Sequence, residues 1–252
     1  VRGLSKRFGA RPIFDGLEFT VERGQAVAII GANGTGKSTL LRCLVRLTEP
    51  DAGTVQALGE TVTELDRRAL RRFRSKVGFI FQKHNLVGRL SALTNVVHGV
   101  QARMSGPRGW YQSLAPEAVR REALACLDQV GLADRAMQKV ASLSGGQSQR
   151  VAVARMLMQR PQLIFADEPD ASLDPKAGAD VMALLFKIGR DTGAPFVFVS
   201  HHMEHVARFA DRVIGLGGGK VALDVPAAGV DPETLKRFFV EPESSAADME
   251  FA

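Results

Sequence analysis

Residues 31 to 38 read GANGTGKS, directly after the apolar run AVAII and directly before TLLRCLVRL. Gly31, Gly34 and Gly36 free the backbone to curl so that successive N–H groups point at one spot. A lysine and a hydroxyl follow at once. Such a segment reads as a strand, a tight anion-cradling turn and a helix N-terminus whose dipole favours negative charge. The spacing satisfies G-x-x-x-x-G-K-[ST], in which backbone N–H groups hold phosphate oxygens, Lys37 supplies a point charge and the Ser38 hydroxyl ligates Mg²⁺. This predicts a nucleotide-phosphate site built from Gly31, Ala32, Asn33, Gly34, Thr35, Gly36, Lys37, Ser38 and Thr39.

A phosphate loop needs a carboxylate on the metal side. LIFADE, residues 163 to 168, offers four apolar residues and then Asp167 and Glu168 where a strand would end. Asp167 fits the Mg²⁺ contact, while Glu168, diverging from it, is placed to polarise an attacking water. QAVAII, VGFIF and FVFV are similar short apolar runs, ending near Gly31, Gln82, and Ser200 with His201. Runs apolar throughout, alternating with helical patterns, predict a mostly parallel sheet buried on both faces, whose ligands sit beyond the strands' carboxyl ends.

Helix ends are also legible. Asp174-Pro175 gives an N-cap and a first-turn proline ahead of Val181, Leu184, Leu185 and Ile188, with a stop near Gly193. Pro116 opens a segment whose stripe reads Val119, Ala123, Leu124, Leu127 and Val130. Leu65, Ala69, Phe73 and Val77 form an apolar row beneath the basic run RRALRRFRSK, which predicts a solvated helix face. Between Lys83 and Ser142 there is no comparable strand run, so a mainly helical insertion is expected, with a polar loop at MSGPRGW. RVIGL, GGGK and VALD predict a closing hairpin, and EPESSAADMEFA a frayed tail.

Composition narrows the class. The 252 residues are 45% hydrophobic and 24% charged, and no apolar run reaches the roughly 18 to 20 residues needed to cross a bilayer. Charged VRGLSKRFG is no secretory signal, and the missing initiator Met predicts a slightly trimmed chain. Cys43 and Cys126 form no metal spacing and fit a reducing compartment. The net charge of +6 favours anionic partners without choosing among them.

A second glycine-rich stretch, LSGGQSQR, occupies residues 143 to 150. By itself it is a capped helix: Ser144-x-x-Gln147 is a capping box, and Gly145 and Gly146 leave N–H groups bare at a helix start. However, GANGTGKST, Gln82, LSGGQSQRVAVAR, LIFADEPDASLD and VSHH occur in that order, and over almost the whole chain they resemble the ATP-binding subunit of an ABC transporter. The resemblance implies an α/β P-loop NTPase (RecA-like) core at 1–82 and 160–252 with an N-terminal antiparallel β-subdomain. A helical subdomain carrying the signature motif would occupy 83–159.

The resemblance also implies roles. Phe8 would stack on adenine, Gln82 would sense Mg²⁺ and water, Glu168 would be the general base, and His201 would contact the γ-phosphate. Ser144, Gly145, Gly146, Gln147 and Asp174 would act in trans on ATP bound to a partner copy, making a homodimer. Asp170 departs from the family pattern, where an uncharged residue is common after DEP.

NLVGRLSALTNV and GPRGWYQSL resemble the phosphonate-import branch, with Lys83 and His84 departing from it. The branch implies a subunit on the cytoplasmic face of the inner membrane, held by integral-membrane permease subunits and served indirectly by a periplasmic-type binding protein. The cargo would be phosphonate, phosphite or a related oxyanion. A lipoprotein-release or division-associated ABC system is the alternative within transport. A nucleic-acid-associated ABC ATPase would carry paired cassettes, coiled coils or zinc modules, so no nucleic acid is expected. A P-loop kinase would leave LSGGQ without a job.

Overall fold

The structure, a computed structural model, describes residues 1–83, 85–104 and 106–228. In chain order the strands and helices are β1 (Arg2–Phe8), β2 (Arg11–Leu17), β3 (Ala26–Ile30), α1 (Lys37–Leu44), β4 (Ala52–Thr54), β5 (Gln56–Ala57), β6 (Glu60–Thr61), α2 (Arg67–Ser75) and β7 (Val77–Ile80). There follow α3 (Ala92–Val97), α4 (Glu117–Gln129), α5 (Gly145–Leu157), β8 (Leu163–Asp167), α6 (Pro175–Thr192), β9 (Phe196–Val199), α7 (Met203–Phe209), β10 (Arg212–Gly217) and β11 (Lys220–Pro226).

The main sheet has the order β11-β10-β3-β9-β8-β7, parallel except for the closing hairpin strand β11. Side chains of a strand alternate between faces, and that period sorts the apolar runs into two cores. Ala28 and Ile30 of β3, Ile164 of β8 and Phe198 of β9 face one cluster with α3 to α7. Val27, Ile29, Phe165 and Val197 face the other, which holds α1, α2 and the β1–β2 hairpin. A strand covered on both faces has no position for a polar residue until its end, which is why the polar residues collect there. A separate antiparallel sheet, β2-β1-β4, supplies the predicted N-terminal β layer. Helices α3, α4 and α5 pack on one another between β7 and β8.

Two apolar rows differ from expectation. On α4 the buried positions are Val119, Ala123, Cys126 and Leu127, while Leu124 is 42% exposed. At about 100° per residue Leu124 lies about 140° from Val119 and Cys126 only about 20°, so the cysteine takes the leucine's place. On α2 the buried pair is Leu70 and Phe73; Leu65 precedes the helix and Val77 belongs to β7, so the four-residue row is not one helix face. Arg67, Arg68, Arg71 and Arg72 are exposed, as a solvated face requires. Helix α6 begins and ends as its caps predict, with the Asp174 side chain accepting from Ala177 N–H and Gly193 at φ 66°. Among the described residues no helix is long and apolar enough to cross a membrane. His84, Ser105 and the predicted tail lie outside the described residues.

Candidate active site

Adjacent strands β3, β9 and β8 deliver the Gly31 loop, Ser200 with His201, and Asp167 to one edge of the sheet. The loop conformation demands glycine. Gly36 has φ 94°, and a Cβ there would collide with Ile13 Cγ2; Gly31 has φ 147°, and a Cβ would lie 2.5 Å from Leu216 O. The backbone thus turns tightly beneath the β1–β2 hairpin and enters α1 at Lys37.

Lys37 is buried, and its Nζ donates to Gly31 O at 2.7 Å and Ala32 O at 2.8 Å. Burial pushes its pKa below the ordinary lysine value, opposed by the Glu168 and Asp167 charges. The next residue completes the link to β8: Ser38 Oγ donates to Asp167 Oδ1 at 2.7 Å. Asp167, also buried, has its carboxyl pushed above the usual carboxylate range, again chiefly by burial, with the Ser38 bond and Arg42 pulling it down. Both buried charges are therefore short of compensation, as a site built for an anion and a cation together would be.

Glu168 sits beyond the end of β8 with φ 49°, a conformation that costs a non-glycine residue about 1 to 3 kcal/mol and persists only where neighbours over-determine it. Those neighbours are visible. Its N–H donates to Val199 O at 3.1 Å, Gln82 Nε2 donates to Oε2 at 3.0 Å, and His201 Nε2 lies 2.8 Å from Oε1. Gln82 is two residues past the end of β7, in the loop rather than at the strand end the sequence predicted. A cavity of about 190 Å³ runs between Glu168 and the phosphate loop, lined by Ile13, Asn33, Gly34, Gly36, Lys37, Ser38 and Thr39. Phe8, at the tip of the β1–β2 hairpin, is 54% exposed with Lys6 Nζ 5.3 Å from its ring centre, leaving ring surface open for stacking.

The second glycine stretch lies outside this cavity. Helix α5 starts at Gly145, and the capping box is present: Ser144 Oγ accepts from Gln147 N–H at 3.3 Å and Gln147 Oε1 accepts from Ser144 N–H at 3.0 Å. None of Ser144, Gly145, Gly146 or Gln147 lines the phosphate cavity. They border the start of α6 instead, where a Cβ on Gly146 would meet Ala177 Cβ at 3.1 Å. Asp174 caps α6 in the same neighbourhood.

Sequence reasoning missed three contributors. Ile13 closes the cavity from the hairpin, a contact no local pattern announces. Gln149, fully buried in α5, donates Nε2 to Pro169 O at 2.9 Å. Asp170, read only as a departure, is buried with its Oδ2 accepting from Ser200 Oγ.

A glycine loop at a helix N-terminus, a buried lysine, the Ser38–Asp167 contact and a fixed glutamate define a P-loop nucleotide-hydrolysing domain. The ABC transporter family model matches residues 14–171, and the chain belongs to that family. It is 45% identical to the "Phosphonates import ATP-binding protein PhnC" of Nocardia farcinica, over 95% of this chain and 89% of that protein. It is 44% identical to the "Phosphate-import ATP-binding protein PhnC" of Mycolicibacterium smegmatis, over 98% and 94%. Among solved structures, a dimeric post-hydrolysis ATP-binding cassette bound to ADP and Pi superposes with a TM-score of 0.79 at 33% identity, covering 91% of this chain and 98% of that one.

Proposed function

We propose that the chain is the ATP-hydrolysing subunit of an ABC importer for phosphonate or a related oxyanion, and that two copies close head to tail over two ATP molecules. The observation that carries the chemistry is Glu168, fixed by Gln82 and His201 at the edge of the phosphate cavity. Glu168 orients a water and takes its proton as the water oxygen bonds to the γ-phosphorus. The bond from γ-phosphorus to the bridging oxygen breaks, leaving ADP with the electron pair. Lys37, the loop N–H groups and His201 stabilise the charge on the transferring group.

The donor set fits Mg²⁺. The Ser38 hydroxyl and Asp167 carboxylate already touch, both are hard oxygen donors, and the buried carboxylate is under-compensated. Ser38, Asp167 and the Gln82 carbonyl oxygen would hold the ion, which when bound neutralises phosphate charge.

Dimerisation is supported by the position of Ser144 to Gln147 outside their own chain's cavity and by the likeness to a solved dimeric cassette. From a partner copy, the Ser144 hydroxyl and the bare N–H groups of Gly145 and Gly146 would meet the γ-phosphate, with Asp174 alongside. Phe8 stacks on adenine. The chain sits peripherally on the cytoplasmic face of the inner membrane, held by permease subunits, and meets the periplasmic-type binding protein only through them. A groove of about 420 Å³ lined by Leu47, Phe79, Phe81, Val87, His98 and Arg155, between the sheet edge and the helical insertion, is the surface offered to the permease. The relatives' printed names support the oxyanion cargo.

Glu168→Gln should keep ATP binding and lose hydrolysis by about 10²- to 10⁴-fold. Near-wild-type turnover in that variant would remove the base assignment. For the cargo, the complex reconstituted with its permease and binding protein should raise its ATPase rate with a phosphonate; indifference to phosphonate, phosphite and phosphate alike would reject it.

A further inference from the structure

Two buried polar groups and a partly buried histidine beside the site take no part in the chemistry above. Asp170 and Ser200 are 3% and 0% exposed, and the His205 side chain is 13% exposed. Asp170 Oδ2 accepts from Ser200 Oγ at 3.1 Å and lies 2.5 Å from His205 Nδ1. Ser200 Oγ in turn accepts from His202 N–H at 3.1 Å. One carboxylate oxygen thereby ties together the turn after β8, the end of β9 and the helix α7. The preceding residue carries another tie, since Pro169 O accepts from Gln149 of the signature helix α5. From α6, Gly178 approaches so closely that a Cβ there would lie 3.3 Å from Asp170 Cβ.

We propose that Asp170 is a positioning residue: through Ser200 and His205 it staples the segment carrying His201 to the turn carrying Glu168, and so holds these two side chains in register. This rests on the reading of Glu168 as the base. The geometry favours it over a mere buried ion pair because the staple brackets His201. Asp170 grips Ser200 and His205, which flank His201 in the chain, and Glu168 N–H adds a tie to Val199 O beside the Glu168–His201 contact. A left-handed Glu168 backbone needs restraint of this kind. The trio is not a nucleophilic triad, because the Ser200 hydroxyl donates to the carboxylate rather than to the imidazole. Nor is it a metal site, since no metal-competent cluster of His, Cys, Asp and Glu occurs among the described residues.

The test measures kcat, KM for ATP and imidazole ¹⁵N NMR spectra in the full chain for Asp170→Asn, His205→Gln and their double variant. Small misplacement of reacting groups slows chemistry strongly, so kcat should fall by about 10- to 100-fold with KM within about threefold. The double variant should be no slower than the slower single one, because the residues act as a unit. The His201 resonances should shift in Asp170→Asn although the two side chains do not touch. Unchanged kcat, or a fall in kcat matched by loss of ATP binding with His201 unmoved, overturns the proposal. If Asp170→Asn fails to fold, Ser200→Ala decides by the same readings, since it leaves the Asp170–His205 pair in place. Glu168→Gln run in parallel separates the two claims. Wild-type turnover there overturns the base reading, whereas its loss beside unchanged Asp170 and His205 variants overturns the staple alone.

Discussion

The phosphate loop and the signature stretch are both rich in glycine, and they use it in opposite ways. Gly31, Gly34 and Gly36 all have positive φ, and the loop they form folds over its own lysine. Gly145 and Gly146 have no such conformation; they are the first residues of an ordinary helix, with a capping box that a glycine-free sequence could also form. In the first region glycine shapes the backbone, and in the second it clears side chains from a helix N-terminus that already points outward. One region is a finished cradle. The other is a surface whose bare N–H groups have nothing to hold within their own chain's cavity.

The difference predicts unequal responses to mutation. The largest should come from Lys37→Ala against Gly146→Asp, measured by ATP binding and steady-state hydrolysis. Both should lose at least about 10²-fold in turnover, because each removes charge stabilisation from the transferring phosphoryl group. Only Lys37→Ala should also weaken ATP binding to the isolated chain. Equal loss of binding in both would erase the distinction between cradle and surface.

Stability should separate the regions by sign. Gly36→Ala places a Cβ at φ 94° against Ile13 and should destabilise by about 1 to 3 kcal/mol in urea unfolding. Gly145→Ala enters helical backbone with its nearest neighbour, Leu173 Cδ2, at 3.4 Å, and should be neutral or stabilising by up to about 1 kcal/mol while still slowing hydrolysis.

The smallest effect concerns the two cysteines, one in the helix that the phosphate loop opens and one in the helical insertion. Cys43 in α1 and Cys126 in α4 are buried, and burial pushes each thiol up to about 11. Both should resist alkylation at mildly alkaline pH in the native state, and ATP should slow residual labelling of Cys43 more than of Cys126. The raised folded values mean that this contribution to stability is present below the ordinary thiol range and is lost as pH climbs through about 11. Rapid native labelling of either thiol would contradict the burial argument.

Much of this was legible because its signals are local. The short apolar runs give both the strands and their ends, since a doubly covered strand turns polar only where it leaves the core. The capping box at Ser144 and the cap at Asp174 depend on residues three apart. What escaped depends on tertiary approach. Leu124 is the exception, since the helical period alone sets it about 140° from Val119 and brings Cys126 within about 20°. Asp170, Ser200 and His205 belong to three segments that a linear reading leaves unrelated, and Asp170 looked like an anomaly until the fold supplied its donors. Gln149 is a glutamine in a helix until Pro169 is found beside it.

The central claim, that the two loops meet only across a dimer, is tested most directly by mixing two inactive variants. Lys37→Ala lacks the cradle and Gly146→Asp lacks the surface, yet a mixed dimer contains one site made wholly of intact parts. Random pairing of two symmetry-related sites predicts that an equimolar mixture recovers about a quarter of wild-type ATPase activity. Activity no greater than the average of the two variants measured alone would contradict the account and place both loops' function within one chain.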